Sequence, residues 1–567
     1  MKCCIPKVWQ GAAIGVNVAI LPPEFFYTGR SPACSGYHGG VLMSNTFSSA
    51  GISRRDMLKL SAAATTLAAA PALGASPLPK PNRPHILMIM SDQHRADAMG
   101  CSGDPAIHTP NMDRLAREGV RFTNMYSTTP TCTPARTALL TGLAPWRHGM
   151  LGYGRIGEGY AVEMPQAMRD AGYYTLGIGK MHWHPQRHLH GFHRTILDES
   201  KREMSIDFRS DYRAWLMTKY PTVDPDITGL TFNDHRAWPY KLPEEVHPTR
   251  WTGDTTVNFI DTYQQADPFF LKVSFARPHS PWDPPQRIWD RYNDANLPKA
   301  NVGKWAAKYA PPGDDFPEYW HGDMGAEAVR TARQGYYGSI TQVDEQIGRI
   351  IDALEKRGIL DNTLILYFSD HGDMTGEHHL WRKSYAYEAS AKIPLLVRWP
   401  KGTLSEQRGT VLDNPVEIRD ILPTCLDAAG NSEKAKDLDG KSILPLIAHR
   451  NADWRDAIDL EHDVCYDASN HWTAMTDGKW KYIFHAQNGE EQFFNLSEDP
   501  NELHDLAGDR GYARRVREWR DRMIEHLAER GEPFVVNGKL GVRPESYLYS
   551  PNWPGCACHG KERRVSA

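Results

Sequence analysis

Four short, mainly apolar runs place the strongest constraint on how this chain can fold. Each run is apolar along most of its length rather than at alternate positions, which is typical of a strand that is covered on both faces. Strands of this kind form the parallel sheets of α/β domains, where helices pack on both faces of the sheet. The four runs are His85–Met90, Tyr174–Gly179, Phe269–Phe275 and Thr363–Phe368.

Helical patterns separate these runs. The clearest one repeats apolar residues at helical spacing from Ile340 to Leu354, and Gly358 ends it. The alternation of strand and helix predicts an α/β fold, a large and mostly parallel β-sheet flanked by helices. Residues 200–250 are polar and aromatic, and we predict an irregular insertion there that shapes a cleft. The shorter predicted helices cover 111–119, 165–172 and 251–264.

The pattern changes near residue 453. Residues 480–484 and 492–494 resemble the two strands of a hairpin, and residues 514–530 form a helical pattern. We therefore predict a smaller C-terminal α+β subdomain, since a chain of 567 residues is long enough for two domains. The predicted boundaries are 81–452 for the main domain, 453–540 for the subdomain and 541–567 for a tail.

The N-terminal region carries a pattern of protein export. Ser53–Lys59 contains two adjacent arginines, and a mildly apolar, alanine-rich run follows at 61–70. This order is typical of a twin-arginine signal peptide, and the run is too short to span a bilayer. We expect the twin-arginine machinery to export a periplasmic or secreted protein with no integral membrane segment in its mature chain. The late position of the signal indicates that Met43 is the true start, that 43–80 is signal peptide and linker, and that 1–42 is a non-native extension.

The composition excludes some classes of partner. A formal net charge of −4 gives no electrostatic basis for binding nucleic acid or an anionic membrane. The 24 histidines and 17 tryptophans fall partly in local groups, which suit polar or anionic ligands and carbohydrate. The cysteines after Met43 lack the spacing that is typical of a disulfide framework.

Polar side chains follow each of the four predicted strands. Because the carboxyl ends of parallel strands meet at one edge of a sheet, these side chains are expected to converge. Such residues can bind a divalent cation, hold a tetrahedral anion or transfer protons. Each of these residues, taken alone, also has a purely structural explanation. A strand-end aspartate can cap a helix, and a lysine or histidine can lie in solvent. The expected metal ligands are Asp92, Gln93, Asp370 and His371; the expected anion donors are Arg136, Lys180 and Lys383; the expected proton carriers are His182 and His279.

A cysteine stands before another helical pattern. Cys132 is followed by Pro134, which suits the first turn of a helix, and by Arg136. Cys132 is therefore predicted at or just before a helix N-terminus, where negative charge is stabilised. The alternative is a buried thiol that packs as a small hydrophobic group. The cysteine alone leaves both interpretations open.

Taken together, these motifs resemble those of the formylglycine-dependent (type I) sulfatases of the alkaline phosphatase superfamily. The resemblance runs from about His85 to Leu506. It implies an alkaline phosphatase-like fold and a hydrolase that acts on a small-molecule or carbohydrate sulfate ester. Its most specific element is Cys132–Gly142, and the further matching blocks are Gly179–His182, Arg277–Pro281 and Ser369–Lys383.

The resemblance also implies a modified nucleophile and a metal ion. Cys132 is expected to be oxidised to formylglycine by a maturation enzyme, and the hydrated aldehyde, held by the metal and Arg136, to attack sulfur in line. The second hydroxyl of the hydrate then expels sulfate, with His182 as its base and Lys180 positioning it. The implied metal is Ca²⁺, and the implied ligands are Asp92, Gln93, Cys132, Asp370 and His371.

The resemblance also implies how the leaving group is treated. It implies that His279, with Lys383, protonates the leaving oxygen or holds the sulfate oxygens.

Two residues depart from the usual family pattern. Family members often have a second aspartate in place of Gln93 and an asparagine in place of His371. This version resembles the branch that contains phosphonate and phosphate monoester hydrolases, which keeps that activity open, and it makes Mn²⁺ or Zn²⁺ the alternative metals. A third hypothesis is a non-catalytic protein that binds sulfated glycans.

Overall fold

Strands and helices alternate along most of the chain, as the sequence pattern predicts. The structure is a computed structural model, and it describes residues 83–200, 208–314, 316–405, 407–449, 453–467 and 470–555. The described strands are β1 (His85–Asp92), β2 (Val120–Phe122), β3 (Met125–Tyr126), β4 (Tyr174–Gly179), β5 (Arg194–Leu197), β6 (Phe269–Pro278), β7 (Thr363–Ser369), β8 (Leu395–Arg398), β9 (Thr410–Leu412), β10 (Val416–Glu417), β11 (Ile458–His462), β12 (Trp472–Thr476), β13 (Trp480–His485), β14 (Glu490–Asn495), β15 (Val535–Val536) and β16 (Lys539–Leu540). The described α-helices are α1 (Pro110–Arg117), α2 (Cys132–Thr141), α3 (Pro145–His148), α4 (Met164–Asp170), α5 (Asp211–Lys219), α6 (Pro248–Thr262), α7 (Gln286–Arg291), α8 (Ala326–Lys356), α9 (Glu388–Ala391), α10 (Ile421–Ala428), α11 (Leu444–Ile447) and α12 (Ala513–Leu527).

The N-terminal predictions fall outside this part of the chain. The predicted extension at 1–42 and the predicted signal peptide and linker at 43–80 both lie outside the described residues. Among the helices that are described, none has both the length and the apolar composition that a membrane crossing requires. Export and the domain boundaries therefore stay predictions from the sequence.

The central sheet has eight strands in the order β5-β4-β6-β1-β7-β8-β2-β9. The first five pair in parallel with their neighbours, and β9 pairs in parallel with β2. Only β8, within this sheet, runs antiparallel to the strands beside it. The predicted large, mostly parallel sheet is confirmed, with β1 at its middle between β6 and β7.

Two hydrophobic cores lie on the two faces of this sheet. Along β1, Met88 and Met90 belong to one core, and Leu87 and Ile89 belong to the other, because successive side chains of a strand point to opposite faces. Helices α2, α4 and α10 cover the first face, and α1, α6 and α8 cover the second. These β1 residues have no exposed surface, which explains why their run is apolar at every position.

Helices are the elements whose extent the sequence predicts least well. The helix predicted around Ile340–Leu354 is α8, and it has 31 residues because it begins at Ala326. The region 200–250, predicted as irregular, contains α5, so that prediction is wrong for this stretch. Helix α5 is nine residues long and buries only Tyr212 and Leu216, too few apolar positions for a clear helical period.

The C-terminal part has the predicted α+β architecture. Strands β11 to β14 form an antiparallel sheet in sequence order, and α12 packs on one side of it. The other side of this sheet shares a hydrophobic core with the main part of the chain. In that core Ile458 and Trp472 of the C-terminal sheet pack with Tyr126, Met374 and Leu380. The C-terminal sheet therefore rests directly on residues that flank the end of β7.

Candidate active site

Polar residues follow the carboxyl ends of β4, β6, β1 and β7, which lie side by side at one edge of the sheet. Backbone hydrogen bonds continue the alignment beyond the strands. The Lys180 N–H donates to the Ser274 carbonyl at 2.8 Å, and the His279 N–H donates to the Asp92 carbonyl at 3.0 Å. The strand-end residues are therefore held at one edge by the backbone, before any side-chain contact is considered.

Cys132 begins helix α2 and Thr131 is its N-cap residue, as the sequence predicts. The thiol reaches the same sheet edge, because its Sγ lies 3.1 Å from His371 Nε2 and 3.8 Å from Asp92 Oδ1. The side chain is completely buried. Its neighbours are polar, unlike those of Cys425, which is buried within a hydrophobic core. Simple hydrophobic packing therefore describes Cys425 and does not describe Cys132.

Arg136 lies one helical turn after Cys132 and holds two carboxylates together. Its Nη2 donates to Asp92 Oδ2 at 2.9 Å, and its Nε donates to Asp370 Oδ2 at 2.9 Å. Its Nη1 donates to the Lys180 carbonyl at 2.6 Å. The guanidinium and both carboxylates have no exposed surface, so water does not screen these ion pairs.

Four side chains around this arginine present metal-ligating atoms to one small space. Their ligand atoms all lie within 4.8 Å of one another, and all four residues are buried. One is a histidine whose Nδ1 lies 2.9 Å from the Gly372 carbonyl, so in the neutral imidazole Nδ1 carries the proton and Nε2 has the lone pair. The four residues are Asp92, Cys132, Asp370 and His371.

The donor set fits a divalent cation. His371 Nε2 lies 3.7 Å from Asp92 Oδ1 and 3.7 Å from Asp370 Oδ1, so three electron-rich atoms face one another. A proton can relieve this repulsion, since burial lowers the pKa of His371 but the attraction of Asp370 and Cys132 raises it by more. A metal ion can relieve it too, and carboxylate oxygens with one imidazole suit Ca²⁺, Mn²⁺ or Zn²⁺.

Gln93 is next to these residues, but its side chain is engaged elsewhere. Its backbone adopts a positive φ of 71° and its N–H donates to Asp370 Oδ1 at 3.1 Å. Its side-chain amide donates to Asp373, and its side-chain oxygen accepts from Lys383 Nζ at 2.8 Å. Both ends of the side chain therefore contact protein groups, and a direct role as a metal ligand stays a prediction.

Lys180 and His182 approach the site from the end of β4. Lys180 Nζ contacts the Asp92 carboxylate and lies 4.0 Å from Cys132 Sγ. His182 has a positive φ of 62°, and its N–H lies 3.1 Å from each carboxylate oxygen of the buried Glu199. Glu199 thus fixes the backbone that carries His182. The sequence gives no signal for this glutamate, because it is 17 residues away in the chain.

His279 and Lys383 form a pair at the other side of the site. Lys383 Nζ lies 2.7 Å from His279 Nε2, and His279 Nδ1 lies 3.0 Å from the Ser280 carbonyl. A carbonyl only accepts, so Nδ1 is the protonated nitrogen and Nε2 accepts from the ammonium. The lysine and histidine predicted as donor and proton carrier are therefore in direct contact.

The charges at this edge shift the pKa values of the buried acids. Burial raises the pKa of Asp92, but the attraction of Lys180 and Arg136 outweighs it and holds the pKa well below its usual range. Burial and the Asp92 carboxylate raise the pKa of Cys132, while Lys180, Lys383 and His371 lower it, with a net value of about 6. The site therefore favours an anion at position 132 near neutral pH.

The C-terminal sheet also contacts the site, which the sequence analysis did not anticipate. Thr131 Oγ1 lies 3.0 Å from His462 Nε2 and 2.7 Å from Ser384 Oγ. Trp472 Nε1 donates to the Ser384 carbonyl at 2.9 Å. Strands β11 and β12 therefore hold the residues next to Cys132 and next to Lys383. No local motif marks His462, since it is 331 residues from its partner.

Comparisons with known proteins give consistent results. Residues 84–431 match the family model described as Sulfatase, and residues 376–529 match one described as N-sulphoglucosamine sulphohydrolase, C-terminal. An arylsulfatase of Clostridium perfringens is 39% identical over 472 residues, which are 81% of this chain and 97% of that protein. A choline-sulfatase of Rhizobium meliloti is 31% identical over 447 residues, 75% of this chain and 82% of that protein.

Solved structures share the fold. A phosphonate monoester hydrolase of Agrobacterium radiobacter superposes with a TM-score of 0.66 at 25% sequence identity. The superposition covers 81% of this chain and 100% of that one. Together with the two matched family models, which extend from residue 84 to residue 529, this superposition agrees with the alkaline phosphatase-like fold that the sequence predicts.

The low pKa of Cys132 gives a direct test of the site's charge. In metal-free protein whose Cys132 is still a thiol, we expect the thiolate absorbance to titrate near pH 6, against about 8.5 for an unperturbed cysteine. Because the folded pKa is the lower one, the thiolate's contribution to stability is complete above about pH 8.5 and is lost as the pH falls through about 6. Lys180→Met should raise this pKa, and Cys132→Ala should remove the transition. A midpoint near 9 in the unsubstituted protein would contradict this account.

Proposed function

This chain belongs to the sulfatase family and is a hydrolase of sulfuric esters, and we propose that it cleaves them with a formylglycine formed from Cys132. The observation that carries the proposal is the position of Cys132 at the start of α2. There it lies beside Asp92 and His371 and one turn before Arg136. A non-catalytic glycan-binding protein would need no buried nucleophile at such a place.

The site's own residues suit a sulfate group. A sulfate ester carries negative charge on its free oxygens, and Lys180 and Lys383 are cations whose attraction reaches position 132. The hydrate of a formylglycine would supply one hydroxyl to attack sulfur and a second whose deprotonation expels sulfate. We assign Lys180 to position this second hydroxyl, since Lys180 Nζ lies 4.0 Å from Cys132 Sγ. His182, fixed through Glu199, is our candidate for the base.

The other half of the reaction needs a proton for the departing alcohol. The bond between sulfur and the ester oxygen breaks with its electron pair on oxygen, so an alcohol of high pKa leaves well only if it is protonated. Lys383 and His279 are in contact at 2.7 Å and carry the required proton between them. We assign this pair to the leaving oxygen, with a further N–H of Lys383 able to hold a sulfate oxygen.

A divalent cation completes the proposal. We propose Ca²⁺ bound by Asp92, Asp370, His371 and the oxygen at position 132, with Mn²⁺ or Zn²⁺ as the alternatives that an imidazole ligand favours. When bound, the cation would lower the pKa of the attacking hydroxyl and neutralise charge on the sulfuryl group. We propose Gln93 as a further ligand through its side-chain oxygen, which has two lone pairs and can accept from Lys383 at the same time.

The substrate class is proposed from the relatives and from the site mouth. The relatives include an arylsulfatase and a choline-sulfatase, so a small-molecule sulfate ester is supported. Tyr153, 41% exposed, has its hydroxyl 3.3 Å from His182 Nε2. An exposed aromatic ring beside the base suits an aryl group or the face of a sugar. We therefore propose a small aromatic or carbohydrate sulfate ester.

A phosphonate or phosphate monoester hydrolase is the alternative activity. His371 among the donor residues and the superposition on a phosphonate monoester hydrolase are the observations that favour it.

The export signal and the maturation enzyme belong to the proposal as well. We propose that a maturation enzyme converts Cys132 in the cytoplasm and that the twin-arginine machinery then exports the folded protein to the periplasm or beyond.

The modified residue can be tested by mass and by mutation. We expect mass spectrometry of the peptide that carries Cys132 to find an aldehyde in place of the thiol when a maturation enzyme is co-expressed. Cys132→Ala should fold normally and lose nearly all turnover, because no hydrate can form. Turnover by Cys132→Ala at the wild-type rate would contradict the mechanism. Cys425→Ala is the matched control, because it removes a cysteine that is buried in a hydrophobic core. We expect this variant to keep wild-type turnover and to carry the same aldehyde in its Cys132 peptide.

The choice of ester is tested by comparing two substrates. We expect kcat/KM for 4-nitrophenyl sulfate to exceed that for 4-nitrophenyl phosphate by at least about tenfold, which corresponds to about 1.4 kcal/mol in transition-state binding. Both esters have the same leaving group, so the ratio reports the transferred group alone. Equal or faster phosphate turnover would favour the alternative activity.

The metal is tested without using activity. Elemental analysis of protein purified without chelators should find calcium close to one ion per chain. Asp370→Asn should lose most of it, because a negative ligand is removed. Asp344→Asn, a buried aspartate on α8 that binds the start of α1, is the control and should keep its metal. Manganese or zinc in place of calcium would overturn the assignment of the ion.

A further inference from the structure

A nearly buried arginine next to Lys383 lacks the partners that a buried cation needs. Arg382 is 8% exposed, and its Nη2 donates to the Glu318 carbonyl. The Glu318 carboxylate lies 3.7 Å from the same nitrogen, beyond hydrogen-bond distance. Among the described residues this is the arginine's one hydrogen bond, and its buried Nε has no partner. Arg277 and Arg333, which are also buried, donate to carboxylates at 2.8 and 2.6 Å. The charge of Arg382 is therefore only partly compensated by the protein.

An aromatic ring supports this guanidinium. Arg382 Cζ lies 4.9 Å from the centre of the Tyr466 ring, a distance that is typical of a cation–π contact. A planar guanidinium that stacks on a ring keeps the N–H groups at its edge available for hydrogen bonds. The arginine is thus held by a ring and by a carbonyl, and neither of them neutralises its charge.

Tyr466 belongs to a short loop that borders the site on two sides. The loop covers residues 463–467 and follows β11. The Val464 carbonyl accepts from the Tyr153 N–H at 3.0 Å, and the Tyr153 hydroxyl lies 3.3 Å from Nε2 of the proposed base. At its other end the loop supports Arg382, which precedes the lysine of the leaving-group pair. The loop therefore connects the side of the base with the side of the leaving group.

The charge of Arg382 also reaches the inner part of the site. Cys465 is a member of the same loop, and burial raises the pKa of its thiol to about 11. A hydrogen bond with Ser384 and the charges of Lys383 and Arg382 oppose this rise, and an anion at position 132 adds to it. A single side chain is thus affected by the arginine, by the lysine and by the nucleophile, so the three lie around it.

We propose that Arg382 is a specificity-determining residue that binds a second anionic group, a carboxylate or a further sulfate, in the alcohol part of the substrate. The inference rests on the proposed function, which assigns Lys383 to the leaving oxygen. Since Arg382 adjoins that lysine, the group that it binds is expected on the departing alcohol. A guanidinium suits both anions, because its parallel N–H groups match two oxygens of a carboxylate or a sulfate.

Matched pairs of aryl sulfates test this preference. 4-Carboxyphenyl sulfate and 4-carbamoylphenyl sulfate differ by one charge and little in shape, and the 3-substituted pair tests a second direction. We expect KM to be about 10- to 100-fold lower for the carboxylate with kcat nearly unchanged, because the contact forms in the ground state and the transition state alike. Phenylene disulfates extend the series to a second sulfate and identify which anion is preferred. If neither anion lowers KM at either position, the inference is overturned.

Two substitutions should move the preference in opposite directions. Arg382→Gln keeps a donor for the Glu318 carbonyl but removes the charge, so the KM ratio of the two substrates should fall to within about twofold of one. Glu318→Gln removes the competing carboxylate and keeps the carbonyl, so the ratio should rise by about two- to fivefold. A merely structural role for Arg382 would weaken charged and uncharged substrates equally. Equal losses in Arg382→Gln would therefore overturn the inference.

A matched control and a replacement variant complete the experiment. Arg522 Cζ on α12 also lies 4.9 Å from an aromatic ring, that of Trp519, and Arg522→Met should keep the wild-type KM ratio. If Arg382→Gln does not fold, Tyr466→Leu replaces it. Loss of the ring frees the guanidinium, and the ratio should fall by at least about threefold.

The failure of this inference differs from the failure of the proposed function. All assays use metal-loaded protein that was co-expressed with a maturation enzyme. If this wild-type protein does not turn over 4-nitrophenyl sulfate, the proposed function fails and the inference fails with it. If it turns over 4-nitrophenyl sulfate but binds charged and uncharged aryl sulfates equally, the inference alone fails.

Discussion

The ion pairs of Arg136 with Asp92 and Asp370 are the interaction on which the rest of the site depends. Each carboxylate ends a different central strand, and the guanidinium that joins them comes from the helix that Cys132 begins. Removing one partner of such a buried pair typically costs about 3–5 kcal/mol, because a charge is left without compensation. Arg136 therefore ties two strands and one helix together at the point where the chemistry takes place.

Compensation of charge explains how the other charged side chains are arranged around these two ion pairs. The lysine at the end of β4 contacts Asp92, and the imidazole of His371 faces both carboxylates. Each cation lies against an anion that it stabilises, and the result is a site that binds an anion without being strongly basic as a whole. The protein's net charge of −4 gives no hint of this local balance.

The sequence predicts the parts of this arrangement that local rules control. The strand before Asp370 and the helix start at Cys132 follow from apolar runs and a proline, and both are confirmed. Glu199 and His462 could not be predicted, because each acts through a contact with a residue far away in the chain. Helix α5 was missed because it buries few apolar residues. The side-chain partners of Gln93 required coordinates, since no spacing rule connects position 93 with 373 and 383.

The contact between Thr131 and His462 has a consequence for the timing of synthesis. The histidine is 331 residues downstream of the threonine that caps the helix of Cys132. At about 5–20 residues per second, a ribosome needs roughly 20–70 seconds to make the intervening chain. Throughout that interval the start of the helix lacks its C-terminal cover. The length of the intervening chain thus sets a time window, and any enzyme that must reach the thiol has its best access before strand β11 has been synthesised.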